Sequence, residues 1–497
     1  MPQTTRIAVI TDPHYTTGKI RPQRHGNIAD IFLQRAISQL NRFIQPDVTL
    51  ILGDVLDDGN AATAPLERTH LRQIFDQLQS PLLIIPGNHD GQTNVFYHDF
   101  IKPPDIVDIH GVRFLPFNDE DRPNYCAERS ETDIERFRLA RTDFTGPIVS
   151  LQHVSLFPPD ALDVPYVYTN ADKVIRAMKK SGVILSISGH YHPGTENITV
   201  DGITYITVPS ICEHPFPFVV ITIHEREITS EIHHLALPDK IFVTDWHIHT
   251  ELAYCAQDIS FKRTVELSKV LGIPSIGISE HSGQLYFNSE QYWSGQCLHA
   301  GIASATADNN RTNDYYELTA SARDQRVLIG FEVDCDYGGH PLLRPADQAQ
   351  SDFLIGAIHR TRNIDNPNAP IRRIYDEYLS TLETFLTSGI NILAHPFRLF
   401  LRYKHDIPKS LFKPTVKLLK QAGVAAEINF NHNEPSIAFF QMCVDAGVKL
   451  TFGSDAHRLC DIGEFTPHFN LITHLEFDGD LSDILLNKAD LASVKTR

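Results

Sequence analysis

Short apolar runs that stop abruptly on His, Asp, Asn or Glu recur along the chain in two series, and nothing else in the sequence constrains the fold as much. In the first series RIAVI (6–10) runs into Asp12-Pro13-His14 and VTLIL (48–52) into Gly53-Asp54. PLLII (81–85) runs into Asn88-His89-Asp90, PIVSL (147–151) into His153, and VILSIS (183–188) into His190-Tyr191-His192. Continuous apolar runs this short suit strands buried on both faces. Between the first two, Ile28, Ile31, Phe32, Ile37 and Leu40 fall at helical spacing, which predicts a crossover helix over 28–43. The expected class is α/β, with function at the carboxyl ends of the strands. Stretches 198–208 and 218–228 read as a hairpin-like pair.

The second series begins near residue 240. IFVT (241–244) leads to Asp245-Trp246-His247-Ile248-His249, SIGIS (275–279) to Glu280-His281, and RVLIGFEV (326–333) carries Glu332. FLIGAI (353–358) meets His359, INILA (390–394) meets His395, VAAEINF (424–430) carries Glu427 and Asn429, and KLTFGS (449–454) meets Asp455-Ala456-His457. Helical stretches lie between, at 268–272 and 414–423 for example. Strand, polar tip and helix in repetition is the pattern of a barrel. A chain of 497 residues also exceeds what one core usually serves. The boundary is expected in 231–240, where strand periodicity lapses and Pro238 sits, giving domains 1–238 and 239–497. A polar insertion, 283–325, has the character of a lid or substrate loop.

Composition excludes some partners. The formal charge of −17 disfavours wrapping of long duplex nucleic acid, while small phosphorylated substrates stay compatible through metals and a few arginines. No run approaches a membrane span, and residues 1–10 enter a strand without a signal-peptide pattern, so no membrane partner is expected. Seven cysteines without CxxC spacing indicate neither a disulfide scaffold nor a zinc ribbon, and a cytoplasmic location is expected.

The strand tips of the first series offer Asp12, His14, Asp54, Asn88, His89, His153, His190 and His192, donors suited to Mn, Fe or Zn. Two divalent ions need a bridging ligand, and Asp54, alone at the end of a central strand, fits that part. One ion then takes Asp12, His14 and His192, and the other Asn88, His153 and His190. The pieces D-P-H (12–14), G-D-V-L-D-D-G (53–59), G-N-H-D (87–90), His153 and G-H-Y-H (189–192) resemble the calcineurin-like metallophosphoesterases over about 5–230, with a likeness to their cyclic-nucleotide phosphodiesterase branch. The resemblance implies a β-sandwich flanked by helices. Metal-activated hydroxide then attacks phosphorus in line, His89 contacts phosphate and protonates the leaving oxygen, and Asp90 orients His89. Arg21, Arg24 and His25 are further substrate-contact candidates.

In the second series His247-x-His249 can point both imidazoles into one site, and Glu332 is the natural bridge. H-I-H (247–249), E-H (280–281), G-F-E (330–332), His359, A-H-P (394–396) and S-D-A-H (454–457) resemble the polymerase-and-histidinol-phosphatase, or PHP, domain over about 241–465. That resemblance implies a distorted (β/α)7 barrel with two or three ions of Zn, Mn or Fe. By the same resemblance the first ion takes His247, His249, Glu332 and Asp455, and the second Glu332, His359 and His395. A third takes His281 and His457 with Cys255, where the family more often has histidine. Arg360 and Arg398 are candidate phosphate clamps, and Glu427 and Asn429 candidate supports for the ligands.

Taken together, the chain reads as a bifunctional metal-dependent phosphoesterase. The first domain is expected to open a phosphodiester such as a cyclic nucleotide, and the second to hydrolyse a phosphomonoester. Action on short oligonucleotides is an alternative, as is one catalytic domain regulated by a nucleotide-binding module on the other.

Overall fold

A computed structural model describes residues 4–21, 23–320 and 326–494. The chain divides into two compact units, Met1–Ala236 and Leu237–Arg497. The last five residues of the 283–325 insertion lie outside the described residues.

The first unit holds two main sheets. One orders its strands Glu227–His234, Pro217–His224, Thr4–Ile10, Val48–Leu52 and Leu82–Ile85; the other runs Ile198–Val200, Ile203–Thr207, Val183–Ser188, Ile148–Leu151, Val112–Pro116 and Val107–Ile109. Their inner faces share one apolar core in which Ile7, Leu50, Leu83 and Val219 meet Phe114, Val149, Leu185 and Ile206. This is a sandwich, as expected. Helices Glu131–Arg141 and Ala171–Lys180 contribute Phe137, Val174 and Met178 to a second core outside the latter sheet. Strand Thr4–Ile10 is parallel to Val48–Leu52, which is parallel to Leu82–Ile85. Strands Val112–Pro116, Ile148–Leu151 and Val183–Ser188 are likewise parallel. The strand tips of each sheet therefore share an edge. The helix expected over 28–43 spans Ala29–Gln39 and continues as a π-turn, Leu40–Ile44.

Two expectations need correction. Stretches 198–208 and 218–228 do not pair with each other. Each begins its own hairpin, Ile198–Val200 with Ile203–Thr207 in one sheet and Pro217–His224 with Glu227–His234 in the other. Asp201, Gly202 and Glu225 adopt the positive φ angles of tight turns there. Strand pairing also persists through His234, beyond the point where the periodicity lapses, because this edge strand is largely exposed and its side chains follow no buried face.

In the second unit seven parallel strands close into a barrel: Thr244–Ile248, Ser275–His281, Val327–Asp334, Phe353–Ala357, Ile392–Leu393, Ala425–Asn429 and Leu450–Gly453. Closure comes from Asp245 pairing with Phe452. Trp246, Leu328, Phe353, Ile355 and Ile392 form an apolar cluster there. The inserted segment is helical, with short helices at Ser282–Tyr286, Ser289–Trp293 and Gln296–Ala300 and a longer one at Thr312–Thr319.

Candidate metal centres

The strand ends of the first unit are laced together by backbone bonds: Asp12 N donates to Gly53 O, His14 N to Asp54 O, and Gly189 N to His153 O. The two sheets are also joined directly, since His190 N donates to Asp12 Oδ2 at 2.9 Å and His153 Nδ1 to Leu52 O at 2.7 Å. Asp12, His14, Asp54 and His190 all have φ between 46° and 66°. Left-handed backbone in L-residues costs of order 1–3 kcal/mol each and persists where its surroundings over-determine it. Here it turns successive side chains toward one point.

At that point the inner atoms converge. His14 Nε2 and His192 Nε2 are 3.1 Å apart. His153 Nε2 lies 3.1 Å from His190 Nδ1, 3.2 Å from Asn88 Oδ1 and 3.4 Å from Asp54 Oδ2. Asp12 Oδ1 is buried with no hydrogen-bond partner. The outer nitrogens, by contrast, are anchored: His192 Nδ1 donates to Glu213 Oε1 at 2.6 Å, and His190 Nε2 to Tyr125 O at 3.0 Å. Metal-binding histidines usually have the outer nitrogen anchored in this way. Asp12, His14 and His192 form one ligand-sized group, and Asp54, His153 and His190 another.

His89 also stands within ligand distance of His14 and Asp54. Its Nδ1 donates to Asp57 O at 2.7 Å and its backbone N to Asp54 Oδ1 at 2.7 Å. Asp90 does not orient it. The Asp90 carboxylate instead accepts from Leu56 N at 3.0 Å and Gly87 N at 2.8 Å, closing the turn that carries Asn88 and His89. Burial, then the neighbouring Asp54 charge, pushes this carboxyl up to about 7. Arg24 reaches His14 Nδ1 (3.2 Å) and Asp57 (3.0 Å), and Arg21 pairs with Asp57 at the surface. The His25 ring packs against Phe216.

The second unit repeats the logic with more donors. Glu332 is fully buried at the centre: its Oε1 lies 3.6 Å from His247 Nε2, 3.3 Å from His359 Nε2 and 2.9 Å from His395 Nε2, and its Oε2 lies 3.8 Å from His249 Nε2 and adjoins His281 Nδ1. Asp455 Oδ1 is 3.1 Å from His249 Nε2 and 3.6 Å from His247 Nε2. His247 Nε2, His281 Nδ1 and Glu332 Oε2 are buried without hydrogen-bond partners. Outer anchors again exist: Glu427 for His247 (2.7 Å), Glu280 for His249 (3.3 Å), Asp334 for His359 (2.7 Å) and Asp455 O for His457 (2.8 Å). His249, His281 and His457 form a further group, and Cys255 Sγ lies 3.4 Å from His281 Nε2. Burial alone raises the Cys255 thiol, but His281 and His457 beside it bring it down to about 5, so it stands as thiolate at neutral pH. Residues with this donor chemistry and these unpartnered buried atoms fit divalent metal ions.

Arg398 reaches the centre. It contacts Asp455 Oδ2 and donates to His395 Nε2 at 2.6 Å and His359 Nε2 at 3.3 Å. Arg360 does not; its guanidinium pairs with Asp365 and lines a pocket beside His359. Sequence reasoning missed Asp334, Glu280, Glu213 and the carbonyl of Tyr125. The carboxylates sit in polar surroundings that signal loop or strand end, and a backbone carbonyl has no side-chain signature at all.

The calcineurin-like phosphoesterase family profile matches residues 5–194, and the PHP domain profile matches 245–431. Glycerophosphodiester phosphodiesterase GpdQ of Enterobacter lignolyticus is 32% identical over 102 residues, 20% of this chain and 33% of that protein, so the chain spans about a third of that relative. A dimetal phosphatase from Danio rerio aligns at 15% identity and TM-score 0.37, covering 46% of this chain and 98% of its own. The Listeria monocytogenes protein assigned as histidinol phosphatase hisK aligns at 16% identity and TM-score 0.33, covering 46% and 99%. No helix among the described residues is long and apolar enough to cross a membrane. The chain thus joins two families, its N-terminal unit a calcineurin-like phosphoesterase domain and its C-terminal unit a PHP domain.

Proposed function

We propose that the chain is a bifunctional metal-dependent phosphoesterase in which the N-terminal unit hydrolyses a small phosphodiester and the C-terminal unit a phosphomonoester. The observation that carries this is the pair of clusters, one per unit, in which histidine and carboxylate donors converge within ligand distance and Asp12 Oδ1 in the first, and His247 Nε2, His281 Nδ1 and Glu332 Oε2 in the second, are buried without hydrogen-bond partners. In the first, Asp12, His14 and His192 would hold one ion and Asn88, His153 and His190 the other, with Asp54 between them. In the second, His247, His249 and Asp455 would hold one ion and His359 and His395 another, with Glu332 shared, while His281, His457 and Cys255 would hold a third. Ions of Mn, Fe or Zn bound there supply Lewis acidity toward phosphoryl oxygen and lower the pKa of water.

The remaining steps belong to the chain. His89, fixed through Nδ1 by Asp57 O, presents Nε2 to exchange a proton with the leaving oxygen. Asp90 fixes the turn that aims it. Arg398, held over Asp455, His395 and His359, offers a planar donor fork to phosphate in the second site.

A cyclic nucleotide is the substrate we favour for the first site. A glycerophosphodiester is the second reading, favoured by the likeness to GpdQ over 102 residues. Incubation of metal-loaded protein with 3′,5′-cyclic AMP or glycerophosphoethanolamine, followed by chromatography, separates the two. AMP that appears and then decays to adenosine supports the first. Turnover of the glycerophosphodiester alone supports the second. Cleavage of di- and trinucleotides in preference to both would replace either with short-oligonucleotide hydrolysis. A regulatory-module reading requires one activity only, and D54N and E332Q test it.

A further inference from the structure

An open pocket lies beside His359 in the C-terminal unit. Its walls come from several places in the sequence. Helix Ser289–Trp293 of the inserted segment brings Tyr292 and Trp293, Arg360 follows His359 directly, and Arg402 and Tyr403 stand at the end of helix Arg398–Arg402. None of these aromatic side chains is a candidate metal ligand.

The lining has an unusual chemistry for a chain of net charge −17. Trp293 is 50% exposed, whereas the other tryptophan of the chain, Trp246, is 1% exposed in the barrel. Tyr292 meets the indole of Trp293 edge to face, with ring centroids 5.1 Å apart. Arg360 has a buried Nε without a hydrogen-bond partner, though its outer end meets Asp365. Gly295 makes room for it: φ is +76° there, and a Cβ would lie 3.0 Å from Arg360 Nη1. Arg402 is exposed and makes no ion pair among the described residues. The acid in the lining, Asp334, is already engaged by His359 Nδ1 (2.7 Å), Gly283 N (3.1 Å) and Tyr292 Oη (3.4 Å). What the pocket still offers is therefore aromatic faces and positive charge.

We infer that this pocket receives the unhydrolysed remainder of the C-terminal site's substrate, and that this remainder is a flat aromatic ring bearing an anionic group. An indole and a phenol supply stacking that an aliphatic remainder would use poorly. A guanidinium lining stacks on the ring and pairs with the anion. The inference rests on the reading of the Glu332 cluster as a phosphomonoesterase, because that cluster fixes where the phosphoryl group lies.

The test uses the full-length metal-loaded protein and three inert phosphonates: 4-carboxyphenylphosphonate, phenylphosphonate and propylphosphonate. Binding is followed by calorimetry and by quenching of tryptophan fluorescence, with the W293F variant reporting Trp246 alone. The expected order of affinity is carboxyphenyl, then phenyl, then propyl, with saturable quenching by the aryl ligands that W293F abolishes. W293A should weaken the aryl ligands roughly fivefold. R402Q should weaken the carboxyphenyl ligand roughly fivefold relative to the phenyl one. Equal affinity for the three ligands, or aryl binding without quenching of Trp293, overturns the inference. Hydrolysis of the three matching phosphates separates the two levels of the argument. The affinity order without hydrolysis would sink the phosphomonoesterase reading and leave the pocket standing, whereas hydrolysis without the order would do the reverse.

Discussion

Replacing Glu427 by glutamine should weaken metal binding at the C-terminal centre without disturbing the barrel. Glu427 is fully buried, and both its oxygens act only as acceptors: Oε1 takes His247 Nδ1–H at 2.7 Å, and Oε2 takes His395 N–H at 2.7 Å and Asn429 Nδ2–H at 3.1 Å. Glutamine has the same shape but must turn its NH2 toward one of those donors. With the amide nitrogen at Oε1, the imidazole of His247 loses its anchor and is driven to carry its proton on Nε2, the atom that faces Glu332 and Asp455. With it at Oε2, two donors face a third. Either way one charge-assisted hydrogen bond is lost, about 1.5–3 kcal/mol, or roughly 10- to 150-fold in affinity if it falls wholly on the metal-loaded state. The space is fixed too, since a Cβ on Gly453 would lie 1.9 Å from Glu427 Oε1, so the carboxylate occupies the room that the glycine leaves. The assay is Zn(II) and Mn(II) titration against a competing chelator, comparing E427Q/D54N with D54N so that the C-terminal centre dominates the signal. A change of less than threefold, with the fold intact by circular dichroism, would refute the orienting role given to Glu427.

Other consequences follow from the same geometry. Gly453→Ala should cost the C-terminal unit about 1–3 kcal/mol through overpacking and lower its metal content, read by calorimetry and elemental analysis. In the first unit, Asp119→Asn should strand the buried Arg129 charge, whose Nε and Nη2 donate to Asp119 at 2.7 and 2.8 Å. Breaking one side of such a buried pair costs about 3–5 kcal/mol, whereas D119L/R129M should recover much of it; equal melting of both variants would contradict this. In chelator-treated protein, iodoacetamide should alkylate Cys255 ahead of Cys212 and Cys297, which burial pushes up to about 12. Because the Cys255 thiol is lowered to about 5, its rate should be flat from pH 8 to pH 6 and fall only as pH drops through that value, and Zn(II) should protect it.

Much of the architecture was legible because buried parallel strands are written as apolar runs, and their ends are where the chain changes character. That signal located the strands whose tips carry the two groups of site residues, but it set the first barrel strand at 241–244, where the chain runs extended over Thr244–Ile248, and it did not mark Val112–Pro116. It failed where burial is one-sided or local. The exposed strand Glu227–His234 lacks alternation, and the Asp201-Gly202 turn marks a hairpin within 198–208 that the apolar pattern alone runs through. The helical nature of the inserted segment was also hidden, because its helices are short and one of them, Ser289–Trp293, is set by a local capping box between Asn288 and Gln291. Within the sites, which nitrogen of each histidine faces inward depends on partners distant in sequence, such as Glu213 for His192 and Glu427 for His247. Asp90 shows the same limit: adjacency to His89 suggested an orienting role, yet the turn, in which Asp90 N donates to Gly87 O, brings the carboxylate to Leu56 N and Gly87 N.

The central claim is that two separate centres act on two classes of ester. The direct measurement is a phosphorus NMR time course of bis(4-nitrophenyl) phosphate with the intact protein, D54N and E332Q. The account predicts that the unsubstituted protein carries the diester to orthophosphate, that E332Q stops at 4-nitrophenyl phosphate, and that D54N leaves the diester untouched while still hydrolysing added monoester. Loss of both activities through either single substitution, or full conversion to orthophosphate by E332Q, would contradict it.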